Sequence, residues 1–405
     1  MNGSDGPLPQ DADTTPEAPA RGMDRATFLK RSAAAGAGVG VVSSILAACG
    51  GGTSAGPTNA ATTSDAAPAA GGGAIADKYK GKTIGVVHLT SADENEATLV
   101  KALQEASDQA GLDWKFQEAD SQGDQGKAQA ATQSFITQKV DAIIPLVVSA
   151  RLIEKQLADA KAAGIPVFGM WTFSELNPNL TIDYTSVPAA DASALAGYMF
   201  SDLYTVKPDG PIKVALVNTD LDILQPRNAI VRGLAALYPR VEIVDSADID
   251  LTDVLGSAAK ITNGFLSKHP DLDALWTSYP PTGPAAAAEV LARNKGDQVR
   301  VYTHVAQSSG LEALGDPKNP LTAMPWLDFD WQSYHVVGYM LEHFAGRELD
   351  RLASYEIIVP FQVFNKETVK EGATGKGVAA GIGWTMLDGV WKQPLVDSWK
   401  QTYAS

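Results

Sequence analysis

The chain of 405 residues has a single cysteine, Cys49, so no intramolecular disulfide can form and packing alone must hold the fold. Its five histidines, at 88, 269, 304, 335 and 343, do not recur at metal-ligand spacing, so neither a zinc site nor any cofactor is expected. Basic residues are in deficit. With 32 Lys and Arg against 47 Asp and Glu, the formal charge is −15, which argues against nucleic acid as a partner because phosphate binding needs clustered cations. Uninterrupted apolar runs are short as well: the uncharged stretch from Ser32 to Ala48 is 17 residues rich in Gly and Ala, marginal against the roughly 20 apolar residues that span a bilayer core.

What is present is the composition of a globular protein. At 45% hydrophobic and 20% charged residues, a chain of this length can build two sizeable cores, so two domains are expected. Ahead of them lies an address. Arg25, Lys30 and Arg31 form a basic start, the Ala/Gly/Val run follows, and Leu46-Ala47-Ala48-Cys49 closes it. This stretch resembles a bacterial lipoprotein signal with its lipobox, which implies cleavage before Cys49 and lipidation of that residue. Asp24-Arg25-Ala26-Thr27-Phe28-Leu29-Lys30 is similar to a twin-arginine export signal, with Ala26 where the second arginine belongs, so the export route stays open. Residues 1–48 are read as the export signal, with Met23 as a natural alternative start. Removing them takes away five acids and four bases and leaves a body at −14. Residues 49–76 then comprise the lipidated cysteine and a linker. Gly50 to Ala74 holds Gly, Ser, Thr, Pro and Ala with one charge, and a coil of that length spans roughly 25 to 30 Å.

From Ile84 onward, short β-rich apolar runs alternate with longer amphipathic stretches, the pattern of βαβ units and parallel sheets. Strands are expected to begin near Ile84, Trp114, Ala142 and Val167, spaced by 30, 28 and 25 residues. Helices over 95–110, 127–139 and 150–163 fill the gaps, each followed by Gly or a short polar break. A second set near Lys213, Val241, Ala274 and Val299 repeats the arrangement at spacings of 28, 33 and 25. The expected fold class is therefore α/β, with two Rossmann-like parallel-sheet lobes. Sheets of this kind bind ligands outside the carboxyl ends of their strands, so two facing sheets make a cleft lined by strand-end loops.

Several stretches carry a closer likeness. They are Lys82-Thr83-Ile84-Gly85-Val86-Val87, the run Asp141-Ala142-Ile143-Ile144-Pro145, the segment Ala160 to Val167 with its Gly164-Ile165-Pro166-Val167, Arg232-Gly233-Leu234, and His269 to Ala274. Through them, residues 80–365 resemble the ribose-type sugar-binding proteins of ABC importers, the type I periplasmic binding fold. The resemblance implies a three-segment hinge, with crossings near residues 186, 325 and 358, and lobes that close over a solute. An N-terminal lobe of 77–186 plus 326–358 follows, with a C-terminal lobe of 187–325 plus 359–405 that includes an extension. It also implies a monomer that serves a membrane permease and its ATPase from the outer side of the cytoplasmic membrane, without catalysis of its own.

The same resemblance marks candidate ligand contacts, most of which depart from the sugar-binding pattern. Asp93, Asn95 and Glu96 stand where an Asn and two aromatics are usual, although carboxylates also simply favour the first turn of a helix. Trp171 follows the Ile165-Pro166-Val167 strand in place of a polar pair, Tyr279 and His304 follow strand ends in the second half, Trp326 sits at a hinge crossing, and Arg227 lies near the family's sugar-contacting arginine. Planar aromatic faces suit C–H surfaces and the polar groups suit hydroxyls, so the cleft is expected to be more aromatic and less carboxylate-rich than a ribose site. Three other functions fit parts of the chain. A ligand-sensing receptor for chemotaxis or kinase signalling would share the fold and anchor. A transcriptional regulator needs a helix-turn-helix before residue 80, which an Ala/Gly/Ser linker cannot form. A secreted phosphatase would use the DxDxT tract at Asp248 and Asp250, residues that also suit ordinary helix capping.

Overall fold

The computed structural model describes residues 73–172, 177–184, 189–349, 359–369 and 389–405. The export signal, Cys49, most of the linker and the hinge crossings expected at 186 and 358 lie outside the described residues.

The first lobe is built on five strands, β1 (Thr83–His88), β2 (Lys115–Asp120), β3 (Ala142–Leu146), β4 (Phe168–Met170) and β5 (Ile182–Tyr184), in the order β2-β1-β3-β4-β5 and all parallel. Helices α1 (Glu94–Ala110), α2 (Gln125–Gln138) and α3 (Glu154–Ala162) connect them. Burial follows position in the sheet. Central β1 and β3 are buried almost throughout, while edge strand β2 alternates between half-buried and exposed residues, as a parallel sheet covered on both faces requires. Helix α1 starts where Asp93 accepts hydrogen bonds from the backbone N–H groups of Asn95 and Glu96, and it stops at Gly111, whose φ of +71° costs glycine nothing.

Helix α4 (Ala189–Val206) opens the second lobe, followed by β6 (Ile212–Asn218), α5 (Gln225–Ala235), β7 (Val241–Asp248), α6 (Val254–Lys268), β8 (Ala274–Thr277), α7 (Thr282–Ala292), β9 (Arg300–Thr303), α8 (Ser308–Gly315) and β10 (Leu321–Leu327). With β11 (Phe361–Asn365) these strands order as β11-β10-β9-β8-β6-β7, parallel except for the last-added β11, which runs antiparallel to β10. The strands expected from hydropathy near 84, 114, 142, 167, 213, 241, 274 and 299 all appear, each starting within one residue of its expected place.

Two expectations about lobe boundaries are corrected. Trp326 and Leu327, expected in the first lobe, belong to β10 and pair with Gln362 and Phe361 in the second sheet. The chain leaves that sheet at Asp328, which caps α9 (Phe329–Phe344) by accepting from the N–H of Trp331. Helix α9 packs on α1, and Ser333 Oγ donates to the Leu99 carbonyl. The extension, assigned to the second lobe, also returns to the first. Helix α10 (Lys392–Thr402) lies against α1 and α9, Trp391 packs edge-on against Trp331 and Tyr334, and Lys392 pairs with Glu105 and Asp330. At its end Tyr403 accepts a hydrogen bond from the Ala76 N–H, beside the point where the linker enters the fold.

Candidate functional site

In each sheet the strand order reverses once, between β1 and β3 in the first and between β6 and β8 in the second, and the loops that diverge there leave a crevice at the carboxyl ends of the strands. Between the two crevices lies a cavity with about 490 Å³ of empty space, part of it open to solvent. Its lining comes from the loop after β1 and the start of α1, the residues after β3, β4, β6, β8 and β9, and Phe329 after β10.

Six of the eight expected contact residues line this cavity: Asp93, Asn95, Glu96, Trp171, Arg227 and Tyr279. Two do not. His304 is fully buried behind Arg227, with its ring edge-on to Trp276 and its Nδ1 3.2 Å from Asp191. Trp326, on a central strand, is buried and stacks edge-on against Phe329, which takes the place at the cavity wall that the sequence reading gave to the tryptophan. Both are core residues of the second lobe. The wall is also less polar than expected, because Leu99, Val147, Leu221, Ile223, Leu224 and Val305 face the cavity alongside the rings of Trp171, Tyr279 and Phe329. Nothing in hydropathy alone separates such residues from ordinary core, since all follow strand ends or open helices as core residues do.

On the second-lobe side, Arg227 is 1% exposed. It donates from Nη1 to the Ser278 carbonyl at 3.1 Å and from Nη2 to Asp191 Oδ2 at 3.4 Å, and its guanidinium lies 6.0 Å from the Trp171 ring. Burial by itself would raise the Asp191 pKa, but the Arg227 charge and the His304 hydrogen bond outweigh it and hold the carboxyl below its usual range. Burial and the Arg227 charge together push His304 down to about 4, so its imidazole is neutral. Asp191, absent from the sequence-derived set, is thus the buried counterion of the site. It sits in the first turn of α4 with no local motif to mark it.

On the first-lobe side the carboxyls sit differently. Burial raises the pKa of Asp93 although it caps α1, and burial raises Glu96 to about 7. Glu96 Oε2 is 3.1 Å from His88 Nδ1, and His88 Nε2 is 2.8 Å from Glu118. A neutral imidazole donates from only one nitrogen, so a ring held between two carboxyl groups implies one extra proton, on His88 or on a carboxyl. Burial alone would lower the His88 pKa; its two carboxylate partners turn the net shift upward.

The lobes meet around the cavity. Asp93 Oδ2 accepts from Tyr279 Oη at 3.5 Å and from Gln307 Nε2 at 3.1 Å, and Glu94 accepts from the Ser308 N–H at 3.0 Å and from its hydroxyl. On the other side Asp222 accepts from Ser149 Oγ and from the Arg151 guanidinium. Trp171 is anchored by Nε1, which donates to Gln332 at 2.6 Å. Three cavity residues, Val147, Trp171 and Val305, have φ of +61°, +60° and +53°. For β-branched and bulky side chains this region is strained, and such strain gathers where a ligand or clamp is held.

Residues 84–325 match the family described as periplasmic binding protein domain. The chain belongs to that family. No curated protein matches the sequence significantly. Among solved structures, the similar ones include a 5-methylthioribose transporter solute-binding protein from Thermotoga lettingae in complex with 5-methylthioribose, with TM-score 0.65 and 16% identity, covering 79% of this chain and 98% of that one. An ABC transporter solute-binding protein from Agrobacterium vitis with bound allitol gives 0.64 at 21% identity over 73% and 99%, and an ABC sugar transporter subunit from Rhodobacter sphaeroides gives 0.61 at 22% over 71% and 99%. At such identities these structures establish the fold, and family membership rests on the match over 84–325.

Asp248 and Asp250, the residues of the phosphatase alternative, are exposed and absent from the cavity wall; Asp250 Oδ1 accepts from both the N–H and the hydroxyl of Thr252, as a turn-forming aspartate does. Among the described residues no group of three or more His, Cys, Asp or Glu converges as a metal site would need, and no helix is long and apolar enough to cross a membrane.

Proposed function

We propose that this chain is the extracytoplasmic solute-binding component of an ABC importer, that it closes over a sugar or sugar-like molecule between its lobes, and that it presents the closed form to a permease coupled to an ATPase. The observation that carries this reading is the cavity itself. It is formed by both strand-end crevices, bridged by hydrogen bonds from lobe to lobe, and lined by Asn95 and Arg227, whose Oδ1 and Nε are buried without a protein partner. Buried donors and acceptors left unpaired cost free energy, and a ligand's hydroxyls offset that cost. The allitol and 5-methylthioribose bound by similar structures support a small hydroxylated solute. The lipobox of the sequence supports attachment through Cys49, with the linker as a tether.

A thermal-shift screen of the purified chain against sugars, polyols and nucleosides tests the reading, because a ligand that binds only the folded state must raise the melting temperature. A shift abolished by Trp171→Ala is the expected result. Silence across the screen, together with turnover of a phosphate ester lost in Asp248→Asn, overturns it.

A further inference from the structure

We propose that the cavity is built for an uncharged, hydroxylated small molecule that carries an apolar substituent, such as a deoxy, alkylthio or aryl-bearing sugar or polyol, and that it discriminates against both fully hydroxylated and acidic counterparts. This rests on the solute-binding reading above and narrows it to one chemical class.

The carbon-rich wall is the first ground. Leu221, Ile223 and Leu224 come from one loop and the start of α5, each no more than 8% exposed, and they share the cavity with Leu99 and Val147 of the opposite lobe and with Val305. None of these side chains can hydrogen-bond. A hydroxyl pressed against them on closure loses its water and gains no partner, whereas a methyl or methylthio group gains about fourfold in affinity for each methylene-sized unit buried. The polar inventory is the second ground, because it is finite. Asn95 Oδ1 is a buried acceptor and Arg227 Nε a buried donor without a protein partner, and Glu96 adds a carboxyl that already accepts from the Thr90 N–H and bonds to His88. Asp93 and Tyr279 also line the cavity but bond to each other, and Asp93 bonds further to Gln307. Such a set serves two or three hydroxyls, fewer than a hexose presents.

Charge is the third ground. Arg227 is the one basic residue of the cavity lining, and Asp191 lies 3.4 Å from it, itself buried. Asp93 and Glu96 stand on the facing lobe. An entering carboxylate or phosphate would meet a cation already matched and two acidic side chains, a mismatch that specificity by exclusion uses.

The test is isothermal titration of the full chain with matched sets. Each set holds a parent pentose, hexose or polyol, its deoxy, O-methyl and methylthio derivatives, and the corresponding sugar acid. In at least one set the apolar derivative is expected to bind at least about tenfold more tightly than its parent, with the acid weaker than both. Leu224→Ser, which places a hydroxyl in the wall, is expected to shrink that preference to less than about threefold. Parents that bind as tightly as their best derivatives in every set that binds, or an acid that binds as tightly as its neutral counterparts, overturn this inference and leave the solute-binding reading standing. If no member of any set binds, the solute-binding reading for this class falls, and this inference falls with it.

Discussion

The two lobes bring charge to the cavity in opposite ways. In the first, Asp93 and Glu96 sit at the opening turn of α1, where backbone N–H groups and a histidine shared with exposed Glu118 surround them, and burial raises both pKa values. In the second, Arg227 is enclosed entirely; burial draws its pKa down from a very high ordinary value, and Asp191 matches the charge that a guanidinium keeps. One side is a set of groups whose proton can be moved. The other is a locked pair whose job is geometric, holding the guanidinium beside the Trp171 ring. A helix N-terminus supports carboxylates from outside the core, whereas a charge inside the core needs a buried partner, and that difference in support decides which side responds to pH.

The locked side breaks most severely. Asp191→Ala strips the counterion from a fully buried guanidinium and is expected to cost about 3 to 5 kcal/mol in denaturant unfolding, because the remaining charge is uncompensated. Glu96→Gln, the matching change on the first-lobe side, is expected to cost less than half as much at pH 7. Equal losses from the two variants would erase the contrast.

Glu96 sharpens the comparison through pH. Its folded pKa of about 7 lies above the ordinary carboxyl value, so the folded state holds more protons than the unfolded state across that interval. Its contribution to stability is therefore full below the ordinary glutamate range and is lost as pH rises through about 7, at no more than about 1.4 kcal/mol per pH unit. The difference in unfolding free energy between the parent chain and Glu96→Gln should fall across that window; a flat difference would refute the assignment. His304 has the opposite sense: with its folded pKa at about 4, its contribution is present above its ordinary pKa of about 6.5 and lost as pH falls.

The smallest expected effect is at the lobe-to-lobe contacts. Asp222→Ala removes the acceptor for Ser149 and Arg151, and because the Arg151 side chain is 80% exposed the loss is expected to stay below about 1 kcal/mol. It should appear as a faster solute off-rate and an affinity reduced by no more than about fivefold, with thermal stability unchanged. A larger loss would mean that the contact holds the cavity's geometry and not only the balance between open and closed forms.

Trp171 and Trp326 show how far sequence reaches into a site. Both are tryptophans near a strand end, and local pattern treats them alike. Trp171 comes just after β4 in a left-handed backbone conformation that turns it to the cavity, where Gln332 holds its ring nitrogen. Trp326 is one residue short of the end of β10, inside a strand whose residues are all buried, and it packs into the core. The difference is two residues relative to the strand end, finer than the resolution of a hydropathy pattern. Asp191 was illegible for a different reason: its partners Arg227 and His304 are 36 and 113 residues away, and nothing local records a long-range ion pair.

By itself the sequence determined the alternation of strands and helices and the doubling into two parallel-sheet lobes, because these depend on periodicity and glycine breaks over short windows. It also placed six residues at the cavity, since helix starts and strand ends in this fold face the crevice by construction. Only the tertiary structure decided that the extension returns to α1 and α9, that Asp191 neutralises Arg227, and that the wall is largely aliphatic. Those outcomes follow from packing between segments far apart in the chain, where side-chain shape and the need to pair every buried charge choose among arrangements that local pattern leaves equal.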